Sequence, residues 1–127
     1  MKQITKEIVV ELLQRGELEL KPTQNKVCIP IINRIYKKMC IGIVFSSISV
    51  ADGLIIDGHH RYIASLLADF KLERIKSDTT SATSVTDWNS VEFVEEDWDT
   101  EAKIKMLNEI DAQYNQLPLD EMVELLK

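Results

Sequence analysis

No apolar run in this chain of 127 residues approaches the length that crosses a bilayer. The Met-Lys-Gln opening also lacks the apolar segment of a secretory signal. These two absences set the expectation of a cytoplasmic protein with no membrane partner. Cysteine is scarce: Cys28 and Cys40 have no C-x-x-C spacing, one standing in a strand-like and one in a helix-like context. They are expected as buried thiols rather than as a disulfide or a metal site. No internal repeat divides the chain. Histidine is scarcer in effect than in number, because the only two, His59 and His60, are adjacent.

Positive charge is in short supply. The net charge is −6, and the deficit is uneven: residues 1–70 hold nine Lys/Arg against seven Asp/Glu, residues 71–127 six against fourteen. An acidic chain is a poor general binder of DNA or of an anionic membrane, since both contacts rest on phosphate neutralisation. The first half, which contains the histidines, stays able to hold a small anion. A hydrophobic fraction of 45% and a charged fraction of 28% are those of a folded globular protein, and the length suits one domain.

The opening "ITKEIVVELLQRGE" predicts a helix with Ile4, Ile8, Val9, Leu12 and Leu13 on one face and Gly16 as its stop. "LELK" and "KVCIP" read as short strands. "IINRIYKKMCIG" reads as a helix with Ile32, Ile35, Tyr36 and Met39 on its apolar stripe, and Arg34, Lys37 and Lys38 opposite. Those three cations are either a solvated face or one turned towards an anion. "IVFSSISV", the turn "ADG" and "LIID" make a hairpin over 43–57. Tyr62, Ile63, Leu66, Leu67 and Phe70 then recur at helical spacing. The Ser/Thr-rich "SDTTSATSVTD" reads as a loop and "SVEFVEEDW" as a strand with Val91 and Phe93 on one face. "DTEAKIKMLNEIDAQY" is a helix capped by Asp99 or Thr100 with Ile104, Leu107 and Ile110 buried, and "LPLDEMVELLK" is a last helix with Pro118 near its first turn.

The stretch "LIIDGHHRYIASLLADF" therefore places Asp57, Gly58, His59, His60 and Arg61 at a strand-to-helix junction. The first turn of a helix presents backbone N–H groups without partners and the positive end of the helix dipole. A glycine lets a phosphate come close to the backbone, and Arg and His add charge-assisted donors. The plainer alternative has Asp57 capping the helix, Arg61 paired with an acid and the histidines on the surface. Zinc is disfavoured, because adjacent histidines point apart and no Cys/His set completes a tetrahedron.

"IDGHHRYIAS" resembles the phosphate-binding motif of the ParB/sulfiredoxin-like superfamily, and the similarity extends over about residues 18–75. Within it, His59 stands where sulfiredoxins have a catalytic cysteine, and the acidic tail has no basic recognition helix of the kind that ParB proteins use on DNA. Asp-Gly-His-His-Arg is similar to the motif of the superfamily's free serine kinases. That resemblance implies nucleotide phosphates held by Gly58, His59, His60 and Arg61; Arg34 and Lys38 become further phosphate ligands if their helix face is turned towards the same anion. It also implies Asp57 acting on a metal or on the acceptor hydroxyl, His60 and Glu19 as further catalytic residues, and ATP or ADP with Mg2+ as cofactor. Glu17 and Glu19 are the upstream acids available as general base, while Gln24 stands where an acid is expected, and glutamine cannot accept a proton in that role.

The sequence thus predicts an α+β single domain, a small mixed sheet with packed helices, with a ParB/sulfiredoxin-like core and an acidic strand–helix extension over about 85–127. The function expected is nucleotide (phosphate) binding, extending to phosphotransfer onto a small hydroxyl-bearing acceptor. The reading from a different class is a non-catalytic acidic module that binds a protein partner through the C-terminal half, especially 87–101, as a bacterial toxin-neutralising (immunity) protein would. A third is a nuclease, which the negative charge disfavours.

Overall fold

Thr5 opens the first helix: its hydroxyl accepts the Ile8 N–H at 3.3 Å, so that α1 runs Lys6–Gln14. The computed structural model describes residues 1–16 and 18–127, and Glu17 lies outside the described residues. Ile4, expected on that helix, precedes it. It is buried all the same, and its N–H donates to Asn33 Oδ1 at 2.8 Å. Strand β1, Lys26–Cys28, leads directly into helix α2, Ile29–Cys40, where Pro30 occupies the first turn at no hydrogen-bonding cost.

Strands β2, Ile48–Ala51, and β3, Leu54–Asp57, form the expected hairpin. Both residues of its turn, Asp52 (φ 52°) and Gly53 (φ 78°), take the left-handed conformation that a tight antiparallel turn requires. Helix α3, His59–Ala68, follows, and strand β4, Arg74–Lys76, returns parallel to β2, giving the order β3-β2-β4. A 3-10 turn at Trp88–Ser90 precedes β5, Glu92–Val94, which pairs in parallel with β1 as a separate two-stranded sheet. Helices α4, Glu101–Tyr114, and α5, Leu119–Leu125, close the chain. Thr100, one of the two expected caps, accepts the Lys103 N–H at 3.2 Å.

The described residues thus form a small α+β domain with five α-helices and two small sheets. The main core gathers Val9, Val27, Ile32, Ile48, Ile55 and Ile63 from both sheets and the first three helices. A second, smaller core of Ile43, Ala112 and Met122 fastens the α4–α5 hairpin onto the segment after α2.

Several elements differ from the sequence expectation. "LELK" contributes only a bridge from Lys21 to Leu54, because Pro22 has no N–H with which to extend a ladder. Residues 43–47 are not strand: the Asn115 side chain takes the place of a neighbouring strand, accepting the Val44 N–H at 2.7 Å and donating to the Val44 carbonyl at 3.0 Å. Strand β4 is wholly exposed, so it carries none of the apolar alternation that marks a strand. Cys28 is buried as expected but Cys40, at the end of α2, is exposed. On α4 the buried residue is Ala112, while Ile110 is 51% exposed. Small Ala112 permits the close approach to Ile43 and Met122 that turns Ile110 outward.

Candidate functional site

Strand β3 ends at Asp57 and α3 begins at His59, with Gly58 between them at φ 111°. This positive φ turns the chain sharply from strand to helix. No side chain caps the helix, so Asp57 does not fill the capping role of the plainer reading, and its carboxylate is 79% exposed. The first helical bond runs from the Tyr62 N–H to the Gly58 carbonyl at 2.9 Å. The N–H groups of His59, His60 and Arg61 precede that bond and form the open first turn.

The histidines have another duty. His59 is 3% exposed, and its Nε2 accepts the Thr23 N–H at 2.9 Å, with the ring edge-on to Trp88. The Nε2 of His60 accepts the Cys28 N–H at 2.9 Å, with the ring edge-on to Trp98. Each ring therefore secures the backbone on one side of β1. Burial pushes both imidazoles down to about 4, with the neighbouring His59 adding to the effect on His60. Both are neutral at pH 7, and an imidazole that accepts at Nε2 carries its proton on Nδ1. This corrects the expectation of two charged phosphate ligands, and it leaves His60 poorly matched to acid–base work near neutral pH.

Arg61 remains the cation of the junction. Its Nη1 donates to the Ser46 carbonyl at 3.1 Å and to Ser46 Oγ at 2.6 Å, and Nη2 lies 3.3 Å from Asp57. Arg34 and Lys38 share a cavity wall with Gly58 and Arg61, whereas Lys37 donates to Gln3 at 2.8 Å on another side of α2. Neither cavity cation is free. Arg34 holds Asp97 through two bonds at 2.6 and 3.0 Å and Asp99 at 2.9 Å; Lys38, 5% exposed, donates to Asp111 at 2.7 Å. The hydrogen bond from Arg34 holds Asp97 below the usual carboxylate range. The acidic C-terminal region thus folds its carboxylates onto the basic face of α2, which is not a solvated face.

Glu19 is not at this site. It pairs with Arg74 at 2.6 and 3.2 Å beside a different cavity that Tyr62 also lines, and that bond holds it below its ordinary pKa, a poor state for a general base. Gln24 does reach the site. Sequence reasoning missed Ser46, Lys103, Asn108 and Asp111, all in the wall, since nothing local to 43–47 or to α4 shows which surface they face.

The resulting cavity has a volume of about 590 Å3 and lies between the start of α3, one face of α2 and the inner face of α4. Among the described residues no group of three His, Cys, Asp or Glu side chains could hold a metal on its own, and no helix is long and apolar enough to cross a membrane. Fold and cavity together define a small α+β domain with a recess at a strand–helix junction, lined by both cations and carboxylates. Comparison of the chain with protein-family models, curated proteins and solved structures finds no match.

Breaking the Lys38–Asp111 contact tests the clasp between α2 and α4. Lys38→Met keeps much of the stem but leaves Asp111, with 21% of its side chain exposed, facing an apolar wall. The expected loss is about 1–3 kcal/mol, read as a lower urea midpoint; an unchanged midpoint would show that the pair adds nothing to stability.

Proposed function

We propose that the chain binds the phosphate group of a nucleotide-class small molecule in this recess, through a core of ParB/sulfiredoxin-like type. The observation that supports this most is the uncapped first turn of α3, entered through a left-handed glycine and flanked by Arg61, at the wall of a cavity of ligand size. Magnesium fits only as a companion of the phosphate: Asp57 offers one exposed carboxylate, and Mg2+ is commonly held by one or two carboxylates together with substrate phosphates and water. Its chemistry there would be charge neutralisation. Binding is better supported than transfer, since Glu19 lies elsewhere and the carboxylates of Asp99 and Asp111 are engaged by Arg34 and Lys38.

Calorimetric titration with nucleotides tests the reading. Arg61→Ala removes the junction's cation and is expected to weaken binding by about ten- to a hundredfold, or about 1.5–3 kcal/mol. Lys37→Ala, which points away towards Gln3, is expected to have no effect. Equal effects of the two substitutions would remove the α3 junction from the binding site.

The second reading, an acidic module for a basic protein partner, is favoured by one observation. Met106, Ile110 and Tyr114 lie one turn apart along α4 and are 45%, 51% and 59% exposed, an apolar stripe near the exposed Glu95 and Glu96 in sequence. Capture of a basic partner should then fall with added salt and with Glu95→Lys/Glu96→Lys, while phosphate binding is unchanged. Capture that ignores both would rule this reading out.

A further inference from the structure

We infer that the recess accepts a phosphomonoester carried on an apolar or aromatic body and discriminates against di- and triphosphates; this rests on the phosphate reading above and narrows its ligand. Two properties of the wall lead there. The first is charge. Arg34, Lys38, Arg61 and Lys103 face the cavity together with Asp57, Asp99 and Asp111. Arg34 and Lys38 are already matched by Asp99 and Asp111 at 2.9 and 2.7 Å. Arg61 is itself held by Ser46 and, at 3.3 Å, by the exposed Asp57, so what is left for a ligand is Lys103, the open first turn of α3 and the bond that Arg61 can transfer from Asp57, a field suited to one dianionic group. The further phosphates of a nucleoside triphosphate would bring negative charge towards three carboxylates with no free cation to answer it.

The polar end also has unused donors. No buried side-chain nitrogen or oxygen among the described residues lacks a partner, so the donors open to a ligand are the backbone N–H groups of the first turn of α3. Backbone N–H donors of this kind bind a phosphate oxygen without adding charge. The second property is the opposite wall. Ile31 and Ile35 from α2, Phe45, and Ile104 and Leu107 from α4 give the recess an apolar side that a phosphate alone would leave uncovered. Asn108 offers an amide beside it for a polar edge of the body.

Equilibrium binding of AMP, ATP and ribose 5-phosphate to the whole chain, in magnesium-free buffer, tests this. AMP is expected to bind about tenfold or more tightly than both ATP and ribose 5-phosphate. ATP binding as tightly as AMP would leave the phosphate reading standing and overturn the monoester inference. Ribose 5-phosphate matching AMP would overturn the apolar body. Binding of none of the three at millimolar concentration would remove the phosphate reading itself. The variant Asp111→Asn adds an independent arm: freeing Lys38 should improve ATP binding more than AMP binding, and an equal change in both would count against the charge argument.

Discussion

Gly58→Ala is expected to destabilise the protein by about 2–5 kcal/mol, combining a left-handed backbone penalty of about 1–2 kcal/mol with overpacking of about 1–3 kcal/mol. At φ 111° an L side chain is strained whatever its surroundings, and here the added Cβ would collide with the Ile48 side chain. Ile48 is fully buried in the main core at the start of β2, so it has no room to retreat. The Arg61 guanidinium also lies within 3.1 Å of the new atom, so the cation that flanks the recess would be pushed as well. Gly16→Ala serves as the control, since nothing lies within 4 Å of its Cβ position and its φ is not positive. Urea unfolding of both variants is the measurement. A Gly58→Ala midpoint equal to that of Gly16→Ala would mean that the tight junction does not exist.

Acidification is expected to unfold the protein through its histidines before most of its carboxylates matter. Burial lowers both imidazoles from an ordinary 6.5 to about 4. Below pH 6.5 the unfolded chain therefore takes up protons that the native chain refuses, so stability falls as the pH drops from about 6.5 and this contribution levels off below about 4. Each tenfold loss of proton affinity on folding corresponds to about 1.4 kcal/mol, so the two rings together contribute on the order of several kcal/mol. The structural cause is plain: each Nε2 accepts a backbone N–H, from Thr23 and from Cys28, and a protonated ring would set donor against donor. Unfolding midpoints at pH 7, 5.5 and 4.5 should decline steeply, and His59→Gln/His60→Gln, which keeps acceptors but no titrating ring, should flatten the decline in that window. A wild-type profile already flat between pH 7 and 4.5 would show that the rings are not held as neutral acceptors.

The two histidines also mark where sequence reasoning reached its limit. The junction they occupy was legible to within about two residues, because β-branched alternation and helical spacing are properties of neighbouring residues. The same reasoning assigned their side chains to a ligand. Their partners, Thr23 and Cys28, are 36 and 32 residues away, and only the packed fold brings them within reach. Glu19 failed for a related reason: an acid upstream of the motif is visible in sequence, but its guanidinium partner Arg74, 55 residues on, is not.

By itself the sequence determined the α+β class, the β2–β3 hairpin, a strand ending near Asp57 with a helix starting beside it, a cap for α4 at Asp99 or Thr100, and Pro118 near the start of the last helix. All of these depend on local periodicity, on glycine and proline geometry, or on a side chain reaching three residues ahead. The tertiary structure alone decided that the acidic C-terminal helix lies against the basic face of α2, that Arg34 and Lys38 meet Asp97, Asp99 and Asp111 across 63 to 73 residues of chain, and that Lys103 faces the same recess as Arg61. The burial of Ile43 against Ala112 and Met122 holds the C-terminal hairpin against the segment after α2, and apolar contact at that chain separation leaves no periodicity in the local sequence to read.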